Sequence, residues 1–194
     1  MSQTTAQTTT YSPLALESRP LVWQIAAVFA GTLVLTLSSY ISVPMYPVPV
    51  TMQTYAILMV AALYGWRLGT LTVLAWLGEA ALGLPVLAGG SGGLPVFAGP
   101  TAGYIFSWPL ITAFVGWLAE RGWNGHRPLL AFTSMLLAGT FCLVMGTAWL
   151  SGFIGMDKAV EAGFLPFIPG DVLKAALGAA TLMLLARKTK GGNA

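Results

Sequence analysis

The amino-acid sequence predicts an all-α integral membrane protein that crosses the bilayer six times. Only 8% of its 194 residues are charged, and its mean hydropathy is +0.77. Residues 20–66 and 128–156 carry no charged side chain, and a membrane-spanning helix needs about 20 predominantly apolar residues. These observations exclude a soluble domain. The net charge of +3 gives no indication of nucleic-acid binding, because in a membrane protein the placement of charges matters more than their sum.

The six predicted spans follow the apolar segments of the sequence. They cover roughly residues 21–42, 51–66, 67–84, 104–119 and 129–150, and a last segment from about 167 onward. Three prolines between residues 43 and 50 end the first span, because proline cannot continue a helix. A tight turn at residues 65–67 separates the second span from the third. The sequence thus predicts one six-helix domain over residues 20–188.

Short tails are predicted on both sides of this domain. Residues 1–19 are rich in Thr, Ser and Gln and lack apolar periodicity, which is typical of a flexible terminal segment. No basic stretch precedes the first apolar run, and that run is long enough to span a membrane, so a signal peptide is not predicted. Residues 189–194 form the predicted C-terminal tail.

Two connections between spans are unusually apolar. Residues 43–50 hold the three prolines, and residues 85–103 hold the run Gly-Gly-Ser-Gly-Gly at 89–93 among Val, Leu and Phe side chains. Irregular backbone at membrane depth is tolerated only where it is buried in protein or lines a cavity. Glycine also lets the backbone approach a ligand closely. The glycine-rich connection is therefore predicted to be a binding element.

Basic side chains predict the orientation in the membrane. If the N-terminus is inside, seven of them are cytoplasmic, and only Lys158 lies in an outer loop. The seven are Arg19, Arg67, Arg121, Arg127, Arg187, Lys188 and Lys190. Because cytoplasmic loops carry an excess of Lys and Arg, both termini are predicted to be cytoplasmic. Both apolar connections and the start of the last span then lie at the outer face.

The last span begins with the segment Phe-Ile-Pro-Gly-Asp-Val-Leu-Lys at residues 167–174, which contains two ionisable residues. Pro169 suits a first helical turn, and Asp171 and Lys174 share a helix face because they are three residues apart. An ionisable residue in a membrane span costs about 2.5–3.5 kcal/mol and indicates function by default. The alternative is a self-neutralising structural pair near the interface.

Few polar side chains are predicted at the outer face, which suits a small ligand in a mostly apolar pocket. They are Gln53, Glu79, Ser91, Thr101, Tyr104, Asp171 and Lys174. Lys174 suits a ligand carboxylate, and Asp171 suits N–H donors. Glu79 is equally consistent with a hydrogen-bonded residue inside the bundle. Tyr46, Trp76 and Trp108 are candidate apolar walls, although interfacial or core positions are commoner for such side chains.

Enzyme chemistry is weakly indicated. Residues 89–92 match the Gly-x-Ser-Gly of intramembrane serine proteases, but a serine nucleophile needs a base within reach. His126, the single histidine, falls in a predicted cytoplasmic connector, which leaves Lys174 as the other candidate base. The sequence contains no P-loop for ATP. One histidine and one cysteine, Cys142, do not make a metal site, and no cofactor is expected.

Four segments, in order and spacing, resemble the BioY family of biotin transporters. They are Val-Pro-x-Tyr-Pro-Val-Pro-Val-Thr-x-Gln (43–53), Gly-Leu-Pro-Val-x-Ala-Gly-Gly (83–90), Gly-Pro-Thr-Ala-Gly-Tyr (99–104) and Pro-Gly-Asp-x-x-Lys (169–174). The resemblance covers nearly all of residues 20–188. It implies the substrate-binding S component of an energy-coupling factor (ECF) transporter, with the six-helix bundle of that group. Such a protein is not an enzyme and lies in the cell (inner) membrane of a bacterium or archaeon.

The resemblance also implies partners and roles for residues. The S component would capture biotin from outside, and a transmembrane coupling subunit with ATPase subunits would drive its release inside. Ala26 and Ala30 on the first span would dock the coupling subunit. Asp171 is expected to accept the ureido N–H groups of biotin, and Lys174 to bind its carboxylate. The expected substrate-binding residues are Asp171, Lys174, Tyr104, Gln53, Glu79, Gly90 and Thr101.

The segments around the expected site have implied roles as well. Residues 43–53 would act as a lid, and residues 88–103 with Tyr104 would close over the ligand. Ala102 departs from the family pattern, which more usually has glycine there, and it adds one methyl group beside the expected pocket. The alternative function is an S-component-like transporter of another small vitamin, because fold does not fix substrate. The sequence is also compatible with an oligomer.

Overall fold

The structure is a computed structural model that describes Leu14 and residues 16–191. Its helices and strands are α1 (Leu21–Tyr40), β1 (Ser42–Val43), β2 (Val50–Thr51), α2 (Gln53–Ala81), α3 (Ala102–Glu120), α4 (Pro128–Ile154), α5 (Met156–Gly163) and α6 (Ile168–Gly191). Five helical stretches in this part of the chain are long and apolar enough to cross a membrane, the last of which contains both α5 and α6. The fold is thus an all-helical membrane bundle with one two-stranded antiparallel hairpin.

Helix α2 covers the two spans predicted over residues 51–84, and it is broken at the predicted turn. Gly65 has φ +81° and ψ 175°, which is not a helical conformation. A Cβ added at Gly69 would lie 3.3 Å from the Cα of Ala61, whereas eight residues of continuous helix extend about 12 Å. The two segments of α2 therefore fold back on one another at Gly65.

The Gly65 break belongs to one end of the bundle, which we call the basic end. The Trp66 N–H donates a hydrogen bond to Glu120 Oε1, 3.0 Å away, at the end of α3. The Tyr64 hydroxyl donates to the Ala27 carbonyl near the start of α1. Gly125, in the connection after α3, packs against the Leu182 carbonyl in the second half of α6. The predicted cytoplasmic arginines, Arg19, Arg67, Arg121, Arg127 and Arg187, lie on these segments.

The opposite end of the bundle, which we call the loop end, contains the β-hairpin, residues 82–101 and α5. Side chains of α1 hold the glycine-rich connection, since Ser39 Oγ donates to the Val86 carbonyl and the Tyr40 hydroxyl to the Pro85 carbonyl. From α4, Trp149 Nε1 donates to the Gly99 carbonyl at 3.0 Å. Lys158 lies on α5. The five arginines named above and Lys158 therefore lie at opposite ends of the bundle.

The bundle core lies between the helices, and α1 is the least enclosed of them. Trp76 of α2 is fully buried and stacks on Trp108 of α3, with ring centroids 5.3 Å apart. On α1, by contrast, most large apolar side chains are exposed, including Trp23 and Phe29. A lipid environment or a partner surface is required to cover this face.

The predicted tails lie mostly outside the described residues. Of residues 1–19, the structure describes Leu14 and residues 16–19, with a 3₁₀ turn over Leu16–Ser18. Helix α6 continues to Gly191, three residues into the predicted C-terminal tail. Residues 192–194 are outside the described part of the chain.

Candidate functional site

A cavity opens among α2, α3, α4 and α6 at the loop end and is covered by the hairpin and the glycine-rich connection. The cavity volume is about 90 Å³, which is enough for several water molecules because one needs roughly 10–15 Å³. Its surface is mainly apolar. Asp171 and Lys174 are the charged members of its lining among the described residues. This composition suits a small, largely apolar ligand that carries a few polar groups.

The chain entering α6 places Asp171 in the wall of the cavity. A 3₁₀ turn over Leu165–Phe167 leads into α6, and Asp171 follows in the first turn of that helix. The Asp171 side chain is only 8% exposed. Its carboxylate lies against Gly139 of α4, where any Cβ would overlap it. No described residue donates a hydrogen bond to this carboxylate.

Lys174 lies one turn further along the same face of α6. Its Nζ donates a hydrogen bond to Thr54 Oγ1 at 2.9 Å, which joins α6 to the start of α2. This partner is a neutral hydroxyl, and the opposite charge of Asp171 also acts on the ammonium group. A structural pair would have Lys174 bonded to Asp171, so the hydrogen bond to Thr54 favours a ligand-binding role.

Gln53 and Trp108 each place a buried N–H donor in the cavity wall. Gln53 is 4% exposed, and its Oε1 accepts a hydrogen bond from Thr51 Oγ1 at 2.9 Å. Among the described residues, neither Gln53 Nε2 nor Trp108 Nε1 has a hydrogen-bond partner. Trp108 is 6% exposed. Because a buried donor without a partner costs about 1–3 kcal/mol, both positions point to acceptor atoms on a ligand.

Tyr104 contributes its ring to the cavity rather than a free hydroxyl. Its hydroxyl donates to the Gly163 carbonyl at 2.7 Å, which ties α3 to the end of α5. The ring packs where a Cβ at Gly146 of α4 would lie, and it faces Phe167 at a centroid distance of 6.4 Å. Tyr104 therefore shapes the wall and fixes the segment leading into α6.

The structure brings together five of the seven predicted substrate-binding residues in this lining, namely Gln53, Thr101, Tyr104, Asp171 and Lys174. Gly90 and Glu79 are not part of it. Gly90 lies beside the Tyr40 ring, while its neighbours Ala88 and Ser91 reach the cavity. Glu79 lies near the end of α2, where its carbonyl accepts the Leu84 N–H.

The positions of the side chains decide which candidate aromatic residues line the cavity and whether a serine-protease site is formed. Trp108 lines the cavity, Trp76 is buried behind it, and Tyr46 is 95% exposed on the hairpin. Ser91 Oγ donates to the Ala88 carbonyl, and Lys174, the other candidate base, donates to Thr54 Oγ1. His126 lies in the connection at the basic end. These contacts do not form the nucleophile–base pair that a serine protease needs.

Sequence reasoning missed Gly139, Thr54 and the donor role of Trp108. Gly139 and Gly146 are seven residues apart on α4 and share one face, so their spacing was the available signal. In a helix that is apolar all round, such spacing equally indicates ordinary close packing. Only the three-dimensional contacts show that one of these glycines faces a carboxylate and the other an aromatic ring.

Comparisons with known proteins agree on one family. Residues 5–191 match the BioY family. The probable biotin transporter BioY of Pyrococcus horikoshii is 35% identical over 156 residues, which are 80% of this chain and 89% of the relative. The biotin transporter BioY of Rhizobium etli is 40% identical over 174 residues, or 84% and 91% of the two chains.

A solved structure has the same fold. It is the crystal structure of the S-component for biotin from an ECF-type ABC transporter. It is 29% identical to this chain and superposes with a TM-score of 0.77. The match covers 86% of this chain and 92% of the other. The likeness therefore extends to the whole bundle.

Proposed function

This chain belongs to the BioY family, and we propose that it captures biotin at the outer face of the cell membrane for delivery inward as the S component of an ECF transporter. It is a multi-pass membrane protein and not an enzyme. One observation of this chain carries the proposal. A carboxylate and an ammonium group lie one helical turn apart in a mostly apolar cavity, and among the described residues no hydrogen bond or salt bridge joins them.

Biotin has the complementary chemistry. Its cyclic urea presents two N–H donors and one carbonyl acceptor, and its apolar bicyclic ring and chain end in a carboxylate. Asp171 accepts the ureido N–H groups, and Lys174 binds the carboxylate with Thr54 beside it. The opposite allocation would place two negative charges together. Gln53 Nε2 and Trp108 Nε1 are available for the remaining acceptor atoms of the ligand.

The segments above the cavity enclose the ligand. Val48 of the hairpin is 6% exposed and lines the cavity, whereas neighbouring Tyr46 points outward. Residues 43–53 thus form a lid with an apolar inner side. Thr101, Tyr104 and the loop over residues 88–103 close the other side.

Six crossings with both termini in the cytoplasm are the proposed topology. The fold-back at Gly65 supports counting α2 as two crossings. The collection of arginines at the basic end supports a cytoplasmic position for that end. The cavity at the loop end then opens to the outside, where an uptake protein must meet its substrate.

The proposed partners are a transmembrane coupling subunit and ATPase subunits, as in an ECF-type transporter. Ala26 and Ala30 are exposed on α1, four residues apart on one face. Small residues at this spacing allow another helix to approach closely. Exposed Trp23 and Phe29 lie on the same helix and add apolar contact area.

Radiolabelled biotin binding to the purified, detergent-solubilised protein tests the proposal. Competition with unlabelled biotin, thiamine and riboflavin identifies the substrate. We expect saturable binding that only unlabelled biotin displaces. Displacement by another vitamin would support the alternative, an S-component-like transporter of that vitamin. No biotin binding by a folded sample would overturn the proposed substrate.

A further inference from the structure

Gly139 of α4 lies directly against the carboxylate of Asp171. If a Cβ is added to Gly139, its three nearest heavy atoms are Oδ1, Oδ2 and Cγ of Asp171, and all three are closer than van der Waals contact allows. Both residues also line the cavity. The space left by the missing side chain is therefore occupied by the one carboxylate in the described cavity lining.

The backbone conformation of α4 does not require glycine at position 139. Gly139 lies inside α4 without a positive φ, so alanine could adopt the same conformation and is the better helix former. Nor do the nearest atoms belong to the backbone of a neighbouring helix, as they do at Gly116, which packs on Trp66. What an added methyl group would displace is the end of the Asp171 side chain.

We propose that Gly139 is a positioning residue, which determines biotin affinity by fixing where the Asp171 carboxylate sits. Aspartate has a short side chain, so its carboxylate cannot withdraw along a flexible stem and must rotate to another rotamer. Rotation would move the acceptor oxygens away from the ligand donors and change their distance from Lys174. This inference rests on the proposed function, because biotin is the probe.

Gly139→Ala is the test, and Gly152→Ala on the same helix is its matched control. At Gly152 nothing apart from its chain neighbours and its own helical backbone lies within 4 Å of the place that a methyl group would take, and the φ of this glycine is not positive. We expect Gly139→Ala to weaken biotin binding at least fivefold and Gly152→Ala to change it less than twofold. Equal affinity of Gly139→Ala and wild type would overturn the inference.

A double-mutant cycle separates positioning from general packing. In an Asp171→Ala background the methyl group of Gly139→Ala has no carboxylate to displace, so we expect less than a twofold further change in affinity. The thermal midpoint without biotin gives a second cycle that does not depend on binding. Gly139→Ala should lower it when Asp171 is present and not when Asp171 is alanine.

The outcomes distinguish the two levels of the proposal. If the folded wild-type protein does not bind biotin, the proposed function fails. If the wild type binds and Asp171→Ala weakens binding, but Gly139→Ala has the same effect in both backgrounds, the function stands and the positioning role fails.

Discussion

Two carboxylates lie against glycines at opposite ends of this bundle, and they differ in what binds them. At the basic end, a Cβ on Gly65 would lie 2.5 Å from Glu120 Oε1, and the Trp66 N–H donates to that same oxygen at 3.0 Å. At the loop end, a Cβ on Gly139 would overlap the Asp171 carboxylate. None of the described residues donates a hydrogen bond to the Asp171 carboxylate.

This difference separates a structural acid from a binding acid. Glu120 meets the first N–H of the second α2 segment, and such donors at a helix start have no partner within their own helix. The protein thereby satisfies both groups. Asp171 is as closely packed, but it lines the cavity, where donors from a ligand can reach it. Burial alone therefore does not identify the functional carboxylate, whereas the hydrogen-bond partners do.

The largest effect on binding is expected from Asp171→Asn. Asparagine replaces one acceptor oxygen with an NH₂ group that faces the ureido N–H groups, donor against donor. We expect biotin affinity to fall at least tenfold, or about 1.4 kcal/mol, in an equilibrium binding assay. Asp157→Asn, at an exposed acid of α5, should leave affinity unchanged. If Asp171→Asn bound biotin with wild-type affinity, Asp171 would not be part of the binding site.

Lys174→Ala should also weaken biotin binding at least tenfold, about 1.4 kcal/mol. The sharper measurement compares biotin with its methyl ester, which lacks the carboxylate. Wild type should prefer biotin, and Lys174→Ala should bind both ligands about equally because it has lost the ammonium group. The control is Lys158→Ala on α5, which should keep the wild-type preference. A preference for biotin that survives in Lys174→Ala would show that the carboxylate is bound elsewhere.

The predictions from sequence were strongest for residues whose chemistry conflicts with their surroundings in the chain. Asp171 and Lys174 are conspicuous because charged side chains in an apolar segment carry a large insertion cost. Gly65 lies in a predicted turn, and the structure breaks α2 there. Each of these predictions rests on one strong local effect.

The remaining site residues depend on which face of a helix meets the cavity, and the sequence does not contain that information. The helices are apolar on all sides, so no polar face marks the outside as it does in a soluble helix. Glu79 was consequently expected in the site, yet it lies outside the lining. Gly139 was missed for the same reason. Loop positions such as Gly90 depend on long-range contacts with α1.

A smaller effect is expected from Trp108→Phe, which tests the unpartnered donors. Phenylalanine keeps an aromatic ring for the stack on Trp76 and removes the N–H group. A net hydrogen bond contributes roughly 1 kcal/mol, so biotin affinity should fall about fivefold. Trp117→Phe, an exposed tryptophan of the same helix, is the matched control and should have no effect. Unchanged binding in Trp108→Phe would mean that Nε1 meets no ligand acceptor.

The smallest effect on binding is expected from Glu120→Ala, although this variant also removes a carboxylate that packs against a glycine. It leaves the Trp66 N–H without its carboxylate, and loss of a helix cap costs about 0.5–2 kcal/mol. The thermal midpoint without ligand should therefore fall, while the dissociation constant for biotin stays within twofold of wild type. Glu161→Ala, at an exposed acid of α5, should change neither quantity. If Glu120→Ala weakened biotin binding as strongly as Asp171→Asn, the two carboxylates would not be functionally distinct, and the separation between a structural basic end and a binding loop end would be wrong.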